Sequence, residues 1–163
     1  MKTLLIVYHT VTGGSRQMAQ AAAAGAGAEP LVRLCLETAA ESGPQALLDA
    51  DGYLFVCPEN LAAVSGLMKD FFDRSYYAVL DRIQGRPYGS LICAGSDGMN
   101  AARQIERIAT GWRLHAIAPP LIVCTHAQTP EQILSPKTIG PVDLSRCEEL
   151  GATLAAGLGL GIF

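Results

Sequence analysis

Residues 4–17 run Leu4-Leu5-Ile6-Val7-Tyr8-His9-Thr10-Val11-Thr12-Gly13-Gly14-Ser15-Arg16-Gln17. They read as an apolar strand, a short loop of hydroxyls and glycines, and the start of a helix. No other feature constrains the fold as much. A strand that delivers a loop to a helix N-terminus makes an anion site, because backbone N–H groups converge there and the helix dipole favours negative charge. Gly13 and Gly14 let the backbone approach an anion closely, and Thr10, Thr12 and Ser15 add hydroxyl donors. Two commoner phosphate loops are excluded by the letters. No Gly-Lys pair occurs anywhere in the chain, and Gly13-Gly14 are adjacent rather than spaced as G-x-G-x-x-G requires. A lysine-free loop of hydroxyls and amides suits a terminal monophosphate. A plain turn with Ser15 as helix N-cap would use the same letters, so the rest of the chain has to decide.

Along the chain, strands alternate with helices. Leu4–Tyr8 is a continuous apolar run, as a strand buried on both faces requires. An alanine-rich helix follows from Ser15 to about Ala26. Alanine is the best helix former and packs closely. Leu31–Leu36 reads as a second strand, Pro44–Ala50 as a short helix, and Tyr53–Cys57 as a third buried strand closed by Pro58. Residues 64–83 form the clearest amphipathic helix, with Leu67, Met68, Phe71, Phe72, Tyr76, Val79 and Ile83 at helical spacing. Lys69/Asp73 and Asp70/Arg74 are i,i+4 pairs on its outer side. Tyr88–Ala94 is a fourth strand, and Met99–Arg113 a helix. His115–Cys124 is a fifth strand interrupted by Pro119-Pro120. Residues 125–142 show little periodicity, and Asp143 is expected to cap a last helix reaching about Leu158. Five strands alternating with helices imply a parallel sheet covered on both faces. Ligands of such sheets bind beyond the carboxyl ends of the strands. The loops 9–15, 58–66 and 95–99 then meet at one edge.

Composition narrows the possible partners. The chain of 163 residues is half apolar and only 17% charged, so a single packed domain spanning residues 1–163 is expected and disorder is not. A net charge of −3 gives no reason to expect nucleic acid or an anionic membrane. The five cysteines, at 35, 57, 93, 124 and 147, form no C-x-x-C and no even framework, which points to a reducing, cytoplasmic setting. No export signal or membrane-spanning run is visible. No two histidines have metal-ligand spacing, so no metal is expected.

The pattern Thr10-Val11-Thr12-Gly13-Gly14-Ser15 resembles the FMN-phosphate loop of flavodoxins and their relatives. Three further blocks extend the likeness: Pro58-Glu59-Asn60-Leu61, then Ser65-Gly66-x-x-Lys69-x-Phe71-x-Asp73-Arg74, then Gly95-Ser96-Asp97-Gly98. Together they resemble the flavodoxin-like superfamily, and within it the NAD(P)H-dependent FMN reductase and quinone reductase branch. The resemblance implies a three-layer αβα sandwich around a five-stranded parallel sheet of order 2-1-3-4-5. It implies FMN as cofactor, with its phosphate on residues 10–15 and its ring between 58–61 and 95–98. The implied activity is hydride transfer from NAD(P)H to a quinone, flavin or similar small acceptor. An electron-transfer flavodoxin and a non-catalytic flavin-binding regulatory module are the alternatives. Electron carriers of this superfamily usually sandwich the ring between aromatic side chains and are strongly acidic. Loops 58–66 and 95–99 hold no aromatic residue, which favours a reductase with an open ring face for its substrate.

The flavin itself transfers hydride, so little acid–base chemistry is required of side chains and none is assigned a catalytic role. Backbone N–H groups at Ser96-Asp97-Gly98 are candidates to face the flavin N1/O2 edge, and Asn60 to contact N5. His126, His9 and Cys57 are candidates for substrate contact, although a structural role is the favoured reading for each: a strand end for His9 and small-hydrophobe packing for Cys57. Phe71 and Phe72 stand about 100° apart on a helix. With Tyr76 and Tyr77 they would make an apolar arc wider than one sheet contact needs. An exposed aromatic patch is therefore expected. The resemblance, whose reductase members are commonly oligomeric, implies a homodimer or a higher homo-oligomer seated on it; a monomer with its tyrosine hydroxyls in water is the alternative.

Overall fold

The computed structural model describes residues 1–163. Its first strand, β1 (Lys2–Tyr8), lies between β2 (Val32–Thr38) and β3 (Gly52–Asn60), both parallel to it. Beyond β3 comes β5 (Pro87–Ala94), also parallel. The outer edge is made of two pieces, β6 (His115–Ala116) and β7 (Leu121–Cys124), which both pair with β5. Between them Pro119-Pro120 break the ladder, since proline has no N–H to donate. Counting that broken edge as one position, the order is the expected 2-1-3-4-5.

Alternation along β1 shows why the sheet is covered twice. Leu4 and Ile6 pack on one side, with α1 (Gly14–Ala26) and α6 (Pro141–Leu160). Leu5 and Val7 pack on the other, with α2 (Pro44–Asp49), α3 (Gly66–Val79) and α4 (Met99–Gly111). Successive side chains of a strand point to opposite faces, so an unbroken apolar run needs cover on both. Helices α1 and α6 touch through small residues. A Cβ on Gly25 would stand 2.0 Å from the Glu148 carbonyl oxygen, and one on Gly151 2.0 Å from that of Ala22.

Several expectations need correction. Pro58 does not close β3. The strand runs on to Asn60 and turns back as β4 (Ala63–Val64), antiparallel to it. The Val56 carbonyl accepts from His9 N, so Val56 and, two residues on, Pro58 face β1, whose strand ended at Tyr8. Proline's missing donor therefore costs the ladder nothing. Helix α3 ends at Val79 rather than 83, although Ile83 is still buried.

Phe71 and Phe72 are both fully buried, and Tyr76 is half-buried. The ring of Phe72 lies 5.1 Å from Phe55 on the sheet and 5.7 Å from Trp112 at the end of α4. Neighbouring elements thus cover a wider arc of α3 than the sheet alone would, and no aromatic patch is left; only Tyr77, 83% exposed, faces outward. Leu67, assigned to the apolar stripe, is also exposed. The inward arc starts at Met68 instead. Asp143 does not cap α6. That helix starts at Pro141, whose fixed φ suits a first helical position, and Asp143 in the first turn pairs with Arg146 at 3.0 Å. Finally, residues 125–142 contain a short helix, α5 (Pro130–Leu134).

Candidate functional site

A cavity of about 530 Å³ opens at the carboxyl ends of the strands. Its size suits a cofactor or drug-sized ligand. It is lined by Val11 and Thr12 after β1, by Pro58–Ala62 at the end of β3 and in the turn beyond it, and by Cys93–Ser96 at the end of β5 and just past it. Three segments far apart in sequence thus share one cavity. Of the sequence-derived candidates, Val11, Thr12, Pro58, Glu59, Asn60, Leu61, Gly95 and Ser96 are in its wall. Thr10, Gly13, Gly14, Ser15, Asp97 and Gly98 lie outside the wall, in the turns that carry it.

Each turn has an identifiable local cause. The N-cap of α1 is Gly13, at φ 93°, not Ser15. That left-handed conformation strains any residue with a Cβ, so glycine takes the cap position and Ser15 falls within the first turn. Gly13 N donates to Thr10 Oγ1 at 3.0 Å, which closes the loop and leaves the Thr10 hydroxyl proton free. Gly14 packs on β5, where a Cβ would stand 2.6 Å from Cys93 Sγ. The Ser15 hydroxyl is buried, at 2% residue exposure, and has no hydrogen-bond partner in the protein. A buried polar group with no partner costs about 1–3 kcal/mol. Its presence beside the converging N–H groups of α1 fits a loop built around an anion.

On the ring side, Glu59 couples two loops. Its carboxylate accepts from Gly98 N at 3.0 Å and from Ala101 N at 3.1 Å, at the N-terminus of α4. The Gly98 N–H is therefore already engaged, which corrects its expected role as a flavin donor. Gly98 is needed for its φ of 86° and because a Cβ there would meet Ile122 at 2.6 Å. Leu61 and Ala62 both have positive φ, 49° and 58°, in the two-residue turn between β3 and β4. Such turns usually take glycine or asparagine. Two strained ordinary residues in a row at a cavity wall mark a place where backbone position outweighs local stability. The turn is held from α4 as well: Gln104 Oε1 accepts from Val64 N at 2.7 Å, and Asn100 donates to the Ala62 carbonyl.

The remaining candidates divide clearly. His9 Nδ1 lies 2.7 Å from Ser65 Oγ, outside the cavity wall, and burial holds its pKa below the usual histidine value. His126 is exposed with φ 61°, and its N–H donates to the Gly95 carbonyl. Burial pushes the thiols of Cys57 up to about 12 and of Cys93 up to about 11. Both are protonated at neutral pH and act as small packing groups there rather than as nucleophiles.

The fourth wall is absent from the sequence reading. Thr125, Ala127, Gln128, Ile133, Leu134 and Lys137 line the cavity from the segment around α5. Gln17 locks this segment to the first loop: its Nε2 donates to the Gly13 and Lys137 carbonyls, at 3.0 and 2.7 Å, and its Oε1 accepts from Ile139 N at 3.0 Å. One local signal was available. Thr129-Pro130-Glu131-Gln132 is a capping box, and both of its reciprocal bonds form.

Residues 13–129 match the NADPH-dependent FMN reductase family. The chain belongs to that family. FMN is the cofactor of its members and of the flavodoxins. A flavodoxin from Aquifex aeolicus is 34% identical over 96 residues, which is 59% of this chain and 50% of that protein. The chain thus matches about half the length of that relative. Among solved structures, a flavodoxin from the domain Archaea superposes with a TM-score of 0.79 at 18% identity, covering 96% of this chain and 98% of its own. A flavodoxin, WrbA-like protein from Agrobacterium tumefaciens gives 0.73 at 19% identity, covering 96% of both chains. Rubredoxin oxygen:oxidoreductase from Desulfovibrio gigas gives 0.81 at 14% identity, covering 99% of this chain but 37% of the other. At such identities the likeness is one of fold: the flavodoxin-like three-layer αβα sandwich.

Proposed function

We propose that residues 1–163 form a single FMN-binding domain that takes hydride from NAD(P)H and passes it to a quinone, a flavin or a similar small acceptor. The observation that carries this reading is the meeting of Val11 and Thr12 with the 58–62 and 93–96 segments in one cavity, and the unpartnered buried hydroxyl of Ser15 in the turn that carries the first of them. Thr10, Thr12 and Ser15, with the backbone N–H groups of Gly14 and Ser15, would hold the phosphate; the Gly13 N–H is taken by Thr10 Oγ1. Pro58–Leu61 and Gly95–Ser96 would flank the ring. FMN, when bound, supplies the hydride chemistry.

The protein's part is to fix the ring and limit access to it. Glu59 holds the two ring-side loops at one spacing, since its carboxylate bonds across from β3 to α4. The N–H groups of Ser96 and Asp97 face no protein acceptor and are suited to donate to the pyrimidine edge. The walls beside the proposed ring position are aliphatic, with Leu61, Ile133 and Leu134, so a flat acceptor can stack where an electron carrier would have an aromatic lid. Self-association belongs to the proposal on a different footing from the buried α3 aromatics. Val11, Leu61 and Leu134 are exposed around the cavity mouth, and a second copy seated there would cover them. No helix is long and apolar enough to cross a membrane, and all five thiols are free, in keeping with a cytoplasmic setting.

The second reading is an electron-transfer flavodoxin, favoured by the identity to the Aquifex aeolicus protein. One experiment separates the two. FMN-loaded protein is mixed without oxygen with NADPH or NADH in a stopped-flow instrument, then with a quinone. Bleaching of flavin absorbance by the nicotinamide alone, with recovery on adding quinone, supports the reductase. Bleaching only in the presence of a partner reductase supports the carrier.

A further inference from the structure

We infer that Lys137 supplies the positive charge at the phosphate end of the cavity, and so makes the chain select the phosphorylated flavin over the unphosphorylated one. This rests on the FMN reading above. A phosphate monoester carries about −1.5 to −2 at pH 7, yet residues 10–15 hold no cation. The N–H groups and dipole of α1 answer part of that charge, and the chain brings a cation to the same loop from far away in sequence.

The backbone of Lys137 is fastened to the loop. Lys137 N donates to the Thr12 carbonyl at 2.9 Å, and the Lys137 carbonyl accepts from Gln17 at 2.7 Å. Its Cβ lies 3.5 Å from where a Cβ on Gly14 would stand. The side chain is half-buried and lines the cavity with Thr12 and Cys93, and its charge opposes the upward push of burial on the Cys93 thiol.

The ammonium group has no carboxylate partner. Its three donors rest on the carbonyls of Gln132, Ile133 and Ser135, at 2.7, 2.9 and 2.6 Å. These residues are exposed, so water can replace the lysine at them. A phosphate oxygen is the stronger acceptor, since it carries the opposite full charge where the carbonyls are neutral. The four-carbon stem lets the ammonium turn from one to the other. Arg16 is the other cation at the loop, over Gly13, but it is exposed on the first turn of α1 and open to screening by salt.

The test compares FMN with riboflavin, which differ by the phosphate alone. Affinities are read from quenching of flavin fluorescence in wild type, Lys137→Gln, Lys137→Arg and Arg16→Gln. The account expects Lys137→Gln to weaken FMN by about tenfold or more and to leave riboflavin unchanged. Lys137→Arg should recover most of the loss, and Arg16→Gln should lose less. Equal losses for both flavins would show that Lys137 only fastens the segment around α5, and would overturn the inference. Unchanged FMN affinity, or a loss confined to Arg16→Gln, would overturn it as well. If wild type itself binds neither flavin, the FMN reading fails with it.

Discussion

Replacing Glu59 by alanine should loosen both the fold and the cofactor site. The carboxylate accepts two backbone N–H groups, at 3.0 and 3.1 Å, and both lie at the start of α4. A hydrogen bond to a charged group contributes about 1.5–3 kcal/mol, and an unpartnered N–H left behind adds to the loss. The two bonds share one carboxylate and are not independent, and Glu59 is only half-buried. A combined cost of about 2–4 kcal/mol is therefore expected. For a chain of 163 residues, each kcal/mol moves Tm by roughly 2–4 °C, which puts the expected drop at roughly 5–15 °C. Glu59→Gln keeps one acceptor oxygen and should lose about half as much. The assay is calorimetry without flavin, followed by an FMN titration, where affinity should fall because β3 and α4 no longer hold one spacing. A Tm within about 2 °C of wild type for Glu59→Ala, with unchanged FMN affinity, would refute the assigned role of the carboxylate.

The double variant Thr12→Ala, Ser15→Ala should lose FMN affinity by well over tenfold yet stay folded, since the Ser15 hydroxyl has no partner in the protein and Thr12 lines the cavity; equilibrium dialysis against FMN measures it. Gly98→Ala combines a φ of 86° with a 2.6 Å approach to Ile122, so it should lower Tm more than Gly66→Ala, where no atom lies within 4 Å of the added Cβ. Burial lowers the pKa of His9 below its usual 6.5, so the unfolded chain takes up a proton there first. Its stabilising contribution is complete above pH 6.5 and is lost as pH falls below that value. A plot of Tm against pH should therefore slope downward below pH 6.5, and His9→Asn should flatten that slope. Light scattering of FMN-loaded protein should give a mass above the 17.2 kDa of one chain.

Features with a local signal were legible in the sequence. The apolar run of β1, the hydroxyl-glycine loop and the alternation of strands and helices led to the parallel sheet and its carboxyl edge. The i,i+4 pairs of α3 form as read, both at 2.7 Å. What escaped depends on contacts distant in sequence. Lys137 reaches the first loop through Gln17, 120 residues away. The apparent excess of aromatics on α3 is absorbed by Trp112 at the C-cap of α4 and by Phe55 of the sheet, neighbours that a helical wheel does not show. In the sequence Gly98 reads as a free donor, because no local pattern shows that Glu59, 39 residues before it, bonds its N–H. The helix at Pro130–Leu134 was within reach, since the capping box that opens it at Thr129 is a four-residue pattern.

The central claim is that the cavity at the carboxyl edge of the sheet holds FMN. Titrating purified, flavin-free protein with FMN while following fluorescence and Tm tests it directly. The account predicts saturation at one FMN per chain, with a Tm that rises with FMN concentration as linkage requires. No quenching and no rise in Tm with FMN at high micromolar concentration would contradict it.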